Sequence, residues 1–203
     1  MSERHAPRVL IAEDEALIRL DLKEMLREAG YEVVGDVATG EDAVERAREL
    51  KPDLVVLDIK MPGMGGLAAA EQIASERLSA VLLLTAFSQR EMVERAAEVG
   101  AMGYLVKPFN ESDIVPAVEV ALARARQLQA LETEVDDLTE RLETRKLLDR
   151  AKGILMDTFG YQETGAYRFL QTQAMERRLT MKRVAEGILD GSVVPPGPDK
   201  PDT

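Results

Sequence analysis

The feature of this chain that most narrows its fold is a set of short, mainly apolar runs, each closed by a residue that carries chemistry. VLIA at 9–12 is followed by Glu13 and Asp14, LVVL at 54–57 by Asp58, VLLL at 81–84 by Thr85 and Ala86, and MGYLV at 102–106 by Lys107 and Pro108. Runs of this length, bounded by Pro and Gly turns, read as strands buried on both faces, the pattern of a parallel sheet. Ligands of open parallel sheets sit outside the carboxyl ends of the strands, so these terminal residues are the candidates for function. Each also has an ordinary reading. An Asp at a strand end caps loops, two acids opening a helix favour its dipole, and Tyr104 suits a half-buried core position. Their order along the chain, acid pair, Asp, hydroxyl, then Lys-Pro, is hard to obtain by accident.

Helical periodicity fills the spaces between. A helix over about 15–29 is expected to set Leu17, Leu20, Leu22, Met25 and Leu26 near one side and to stop at Gly30. A strand at 32–36 follows, and a helix over 40–50 ends before Pro52. Further helices are expected from the Pro62 to Gly66 loop to about 76 and over 89–99. A last one opens with Asn110 or Ser112 as cap and Asp113 in its first turn. Five strands alternating with five helices predict an α/β fold, a doubly wound parallel sheet of order 2-1-3-4-5 with right-handed crossovers.

The residue types at the strand ends support one chemistry. Carboxylates converging without His or Cys make a hard oxygen site suited to Mg²⁺ and a phosphate co-ligand. Asp58 is then a nucleophile needing no base at neutral pH, Lys107 neutralises phosphoryl oxygens, and Thr85 hydrogen-bonds one of them. An acyl-phosphate adds negative charge at that point, which makes a switch.

Residues 7–125 resemble the receiver domain of two-component response regulators, on Glu13, Asp14, Asp58, Thr85, Lys107 and Pro108 in the family's order. The resemblance implies a flavodoxin-like fold and transfer of a phosphoryl group from a sensor histidine kinase to Asp58, with Lys107 as its catalytic companion. It implies Mg²⁺ held by Asp14, Asp58 and the backbone carbonyl of Lys60, with Glu13, where many receivers carry Asp, acting through water. It also implies Thr85 and Ala86 at the phosphate and Tyr104 as the switch aromatic.

Composition removes other classes. The 203 residues contain no Cys and a single His, His5, which excludes disulfides, thiolate or histidine-cluster metal sites and a Ser-His pair. MSERHAPR lacks the apolar core of a signal peptide, and no run approaches the roughly 18 apolar residues of a membrane span. A cytoplasmic protein without membrane contact is expected.

Beyond residue 115 the last helix does not stop. Leu128, Leu131, Val135, Leu138 and Leu142 recur in steps of three and four, a seam that is either buried by a C-terminal bundle or used for a homodimer, with a coiled-coil linker expected over 126–143. Residues 144–190 are expected to form three helices, one capped by Thr180, and the Pro-rich 191–203 to be disordered. The net charge of −11 argues against a generally nucleic-acid-binding surface, yet residues 144–187 carry nine basic against five acidic side chains. Such charges also serve solubility. The segment 142–189 is similar to the ANTAR domain, an output module of transcription antiterminators, on Arg150 to Met156, Glu163, Ala166, Tyr167, Leu170, Ala174, Met175, Val184 and Ala185. That similarity implies binding of paired RNA hairpin loops, a homodimer presenting two such faces, and control of antitermination; phosphorylation of Asp58 is expected to shift the monomer–dimer equilibrium. Arg145, Lys146, Arg150 and Lys152 recur at about helical spacing and are the candidate RNA contacts on one shared side. The alternatives are a DNA-binding output, for which the segment lacks a helix-turn-helix reading, and a protein-interaction output through the seam. An enzymatic output is disfavoured by the absence of His, Cys and a glycine-rich phosphate loop there.

Overall fold

The structure is a computed structural model that describes residues 6–86 and 90–196, and of residues 90–93 the backbone alone. Its five strands are β1 (Arg8–Ala12), β2 (Glu32–Val37), β3 (Leu54–Asp58), β4 (Ala80–Thr85) and β5 (Gly103–Val106). All pair in parallel in the order β2-β1-β3-β4-β5. Every residue of β3 and β4 is buried, as expected of strands covered on both faces.

Five helices, α1 (Ala16–Glu28), α2 (Gly40–Leu50), α3 (Gly65–Ser75), α4 (Arg90–Glu98) and α5 (Glu111–Phe159), alternate with the strands. The expected start of α4 at Gln89 lies outside the described residues. Strand side chains alternate between two cores. Leu10, Val55, Leu57, Val81 and Leu83 meet α2 and α3 through Val44, Ala47, Ala70 and Ile73. Val9, Ile11, Val56, Leu82 and Leu84 meet α1 and α5 through Leu22, Leu26, Ile114 and Val118. Each such aliphatic side chain, fully buried, contributes about 1.5–3 kcal/mol.

One detail of α1 corrects the sequence reading, while the start of α5 agrees with it. In α1 the buried residues are Leu22 and Leu26, with Ile18 and Met25 beside them, while Leu17 is 78% and Leu20 51% exposed. At about 100° per residue, Leu20 stands across the helix from Leu22 and Leu17 well off its face, so five leucines and methionines do not share one stripe. In α5, Asp113 Oδ2 accepts the backbone N–H of Asn110 at 3.0 Å, closing the helix start.

The chain divides into two compact units, Met1–Ala130 and Leu131–Thr203, and α5, 49 residues long, contributes to both. In the second unit the last turns of α5 pack with α6 (Glu163–Arg177) and α7 (Met181–Leu189) around Ala151, Leu155, Ala166, Leu170, Val184 and Ile188. Thr180 Oγ1 accepts the Arg183 N–H at 3.3 Å and caps α7. The seam residues Leu128, Leu131, Val135, Leu138 and Leu142 are all exposed, so the helical bundle of the second unit does not bury them. The expectation of disorder from 191 onward is corrected over 192–196. Val193 is a buried core residue, its N–H donates to the Gly187 carbonyl at 2.8 Å, and Tyr161 Oη donates to the Pro196 carbonyl at 2.5 Å. A valine among prolines is enough to anchor the segment, because Gly187 leaves α7 no side chain in its way. Residues 197–203 lie outside the described residues.

Candidate functional site

Burying an ionised or polar side chain is costly unless it is paired, so the buried ones are few and informative. Among the described residues they are Glu13, Asp58 and Thr85. All three stand at the carboxyl ends of adjacent strands: Glu13 follows β1, Asp58 ends β3 and Thr85 ends β4. The sheet register brings them together, with Asp58 opposite Leu84 and Thr85 opposite Val106, one residue before Lys107. Backbone bonds extend the register past the strands: Glu13 N–H donates to Val37 O at 3.0 Å, and Lys107 N–H to Thr85 O at 2.7 Å. The Lys107–Pro108 peptide is cis.

Lys107 Nζ lies 2.6 Å from Glu13 Oε2 and 3.2 Å from Asp58 Oδ2. Asp14 completes the cluster from the surface, and one oxygen from each of Glu13, Asp14 and Asp58 falls within 4.8 Å of the others. Burial, then the charge of Asp58, push the Glu13 carboxyl up, against hydrogen bonds from Lys107 and the Glu15 N–H. Burial likewise raises Asp58, opposed by Lys107 and by the backbone N–H of Lys60. Burial works against the Lys107 ammonium, but the two carboxylates outweigh it and hold its proton more tightly than usual. Three acids facing one ammonium leave excess negative charge in a place that disfavours it. This is the condition a divalent cation relieves, and the all-oxygen donor set fits Mg²⁺.

The loop carrying Lys60 is held from two sides. The start of α3 packs on the backbone of Asp58 so closely that a Cβ at Gly66 would fall 1.8 Å from the Asp58 carbonyl oxygen, and Gly66 N–H donates to Ile59 O at 3.0 Å. Across the loop, Glu41 in the first turn of α2 accepts the Met64 N–H at 2.8 Å, and Gly63, at φ +80°, gives its carboxylate room. The sequence reading missed Glu41; its only trace was an acid after the Thr39 cap, a position more often explained by the helix dipole. Arg19 donates to the Glu13 carbonyl and pairs with Asp36 at 3.4 Å, tying α1 to the end of β1.

Ala86 is exposed at the end of β4, and Lys60 presents its side chain to solvent. Tyr104 is 42% exposed rather than a core residue and lines a shallow groove with Pro116, Ala117, Val120 and Arg124. In the second unit, Arg145, Lys146 and Arg150 are exposed and Lys152 half-buried. They do not share one side. Arg145 and Lys152, seven residues apart, line a groove with Leu148 and Tyr167, whereas Lys146 and Arg150 fall about 100° and about 140° round the helix from Arg145.

A parallel sheet of this order with a buried acid–lysine cluster at its switch point defines a class. The family described as response regulator receiver domain matches residues 9–119, and the ANTAR domain family matches 136–189. The chain belongs to the response regulators, with a receiver domain followed by an ANTAR domain. It is 59% identical to the transcriptional regulatory protein PdtaR of Mycobacterium tuberculosis, over 90% of this chain and 89% of that protein. The chemotaxis protein CheY of Thermotoga maritima is 43% identical over 55% of this chain and 93% of its own length. Among solved structures, the signal receiver domain of a modulated diguanylate cyclase from Desulfovibrio desulfuricans G20 is similar, with a TM-score of 0.56 and 31% identity. It covers 61% of this chain and 98% of its own. No helix among the described residues is long and apolar enough to cross a membrane.

Proposed function

We propose that the chain accepts a phosphoryl group on Asp58 from a histidine kinase and thereby controls the binding of RNA hairpin loops by its C-terminal helices, and with it transcription antitermination. The observation that carries the first half is the convergence of Glu13, Asp58 and Lys107, with Thr85 at the adjoining strand end. An Asp58 carboxylate oxygen forms the new O–P bond as the N–P bond of the kinase phosphohistidine breaks, and the departing imidazole nitrogen takes a proton from solvent. An ammonium has three N–H donors; Lys107 directs two at Glu13 and Asp58 and can offer the third to a phosphoryl oxygen. Thr85 Oγ1 is the hydroxyl positioned for another, beside Ala86, and Tyr104 is the aromatic that responds at the surface. Mg²⁺, held by Asp14, Asp58 and the Lys60 carbonyl with Glu13 through water, would supply neutralising charge for the phosphoryl oxygens.

The division of labour is a receiver over 7–125, a connecting helix over 126–143 and an RNA reader over 144–190. The last is supported by the ANTAR match and by the basic side chains gathered there. The exposed apolar seam favours a second element of the reading, a homodimer that presents two readers. Incubation with acetyl phosphate and Mg²⁺ should add one phosphoryl group, seen by mass, that hydroxylamine removes and that Asp58→Asn never acquires. A wild-type chain that stays unmodified by this donor and by every histidine kinase of its own cell would end the phosphoacceptor reading.

A further inference from the structure

Helix α6 buries one stripe, Ala166, Leu170 and Ala174, with Phe169 beside it, and turns most of its other residues toward solvent. Of its two aromatic residues, Phe169 packs on the core and against Tyr161, with ring centroids 5.6 Å apart. Tyr167 does neither. It is 49% exposed and lines two adjoining grooves of about 580 and 410 Å³, in both of which Lys152 also stands. A large ring left between two grooves contributes little to the fold that a polar residue would not.

The walls say what kind of group fits beside it. In the larger groove Arg141, Arg145 and Lys152 are matched by Asp137, Glu140 and Asp149. Lys152 itself is held 2.9 Å from Asp149 and 3.5 Å from Glu163. A phosphate there would meet as many acids as bases, so the larger groove is not a phosphate sink. The smaller groove adds Thr164, Arg168 and Gln171, which lie with Tyr167 on one face of α6 at spacings of three and four. An aromatic plane flanked by donors and acceptors of both kinds suits an uncharged planar ring with a polar edge, and the smaller groove, with two bases against one acid, adds a cation for the backbone beside it. Unpaired RNA bases are read in this way, by stacking on an aromatic side chain and hydrogen bonding along the base edge.

We propose that Tyr167 is the stacking platform for one unpaired base of an RNA loop, with Thr164, Gln171 and Lys152 facing the base edge and Arg168 the adjoining backbone. The inference rests on the RNA-reading function above and moves its centre from the basic residues of α5 to the outer face of α6. An RNA hairpin pool with randomised loops, enriched on the full-length wild-type chain, provides the probe; a blunt duplex of equal charge is the control. Tyr167→Ala should weaken hairpin binding about tenfold or more, leave duplex binding unchanged and keep the wild-type far-UV spectrum, while Tyr167→Phe binds as wild type. The chain has no tryptophan, so Tyr167→Trp creates a single reporter whose emission should be quenched by the hairpins and not by the duplex. Wild-type hairpin affinity in Tyr167→Ala, or unquenched emission from Tyr167→Trp at saturating hairpin, overturns the platform while leaving RNA binding intact. If no hairpin is enriched by the wild-type chain, the RNA reading fails and this inference with it.

Discussion

Asp58 carries the main tension of the molecule: a carboxylate raised by burial, with Glu13 raised beside it and one ammonium between them. For an acid whose folded pKa lies above its unfolded value, the folded state holds the proton longer. Stability contributed by that group is therefore present at low pH and declines as pH climbs from the ordinary carboxylate range through the raised value. At neutral pH both groups count against the fold. Asp58→Asn should thus raise the thermal midpoint in metal-free buffer at pH 7, by roughly 1 kcal/mol in stability, and flatten the decline above pH 4. The same crowding should make the wild type respond to Mg²⁺: at 100-fold over its dissociation constant the ion should add about 2.7 kcal/mol. In Asp58→Asn that rise should largely vanish, and melts with and without Mg²⁺ decide the matter.

Between elements, one exposed contact has a pH signature of opposite sign. Arg48 on α2 donates twice to Glu76 at the end of α3, at 2.8 and 2.5 Å, and holds its carboxyl down to about 2. A depressed acid contributes stability that is complete above its unfolded value near 4.5 and is lost as pH falls toward 2. Arg48→Ala should remove part of the acid-side loss in a series of melts from pH 5 to pH 2 and leave the neutral-pH site untouched. The seam of α5 makes the second test at this scale. Leu131 and Leu138 are 52% and 51% exposed, so Leu131→Asp with Leu138→Asp should change the stability of the single chain by no more than about 0.5 kcal/mol each. Their effect should fall on association instead, seen as loss of a dimer peak in sedimentation of the phosphorylated protein. Leu155→Ala, in contrast, empties a fully buried position of the second core and should cost about 2–5 kcal/mol.

At the scale of the whole molecule the claim is a coupling, and coupling is reciprocal. If an acyl-phosphate at Asp58 raises affinity for hairpin RNA, the RNA must stabilise the phosphorylated state by the same factor. Beryllofluoride, which mimics the acyl-phosphate, should strengthen hairpin binding about 5- to 150-fold at fixed salt, the usual span of such couplings. Titrations at several salt concentrations separate this from charge alone, because the slope against salt counts phosphate contacts and should differ little between the two states. Equal affinity with and without beryllofluoride would dissociate the switch from the reader.

Much of this protein was legible in its residues because the interactions responsible are local or periodic. Short continuous apolar runs set the strands, Gly and Pro set their ends, and an acid pair, an acid, a hydroxyl and a lysine at four of the five strand ends marked the mouth of the sheet. The expected order of the five strands was one of the common doubly wound orders, and the sheet adopts it. Distance and burial were another matter. That one ammonium reaches both Glu13 and Asp58, that Glu41 clasps the loop beyond Asp58, and that Leu17 and Leu20 face water depend on side chains far apart in the chain arriving at one place. The same holds for Tyr167. Helical spacing shows that it lies off the Ala166–Leu170–Ala174 stripe, but only the packing of α5 against α6 decides that Lys152 stands beside its ring. Sequence determines which faces are apolar and which chemistry each strand end carries; tertiary contact alone decides which groups share a site, because the energies that matter there fall off over a few ångströms of space and take no account of separation along the chain.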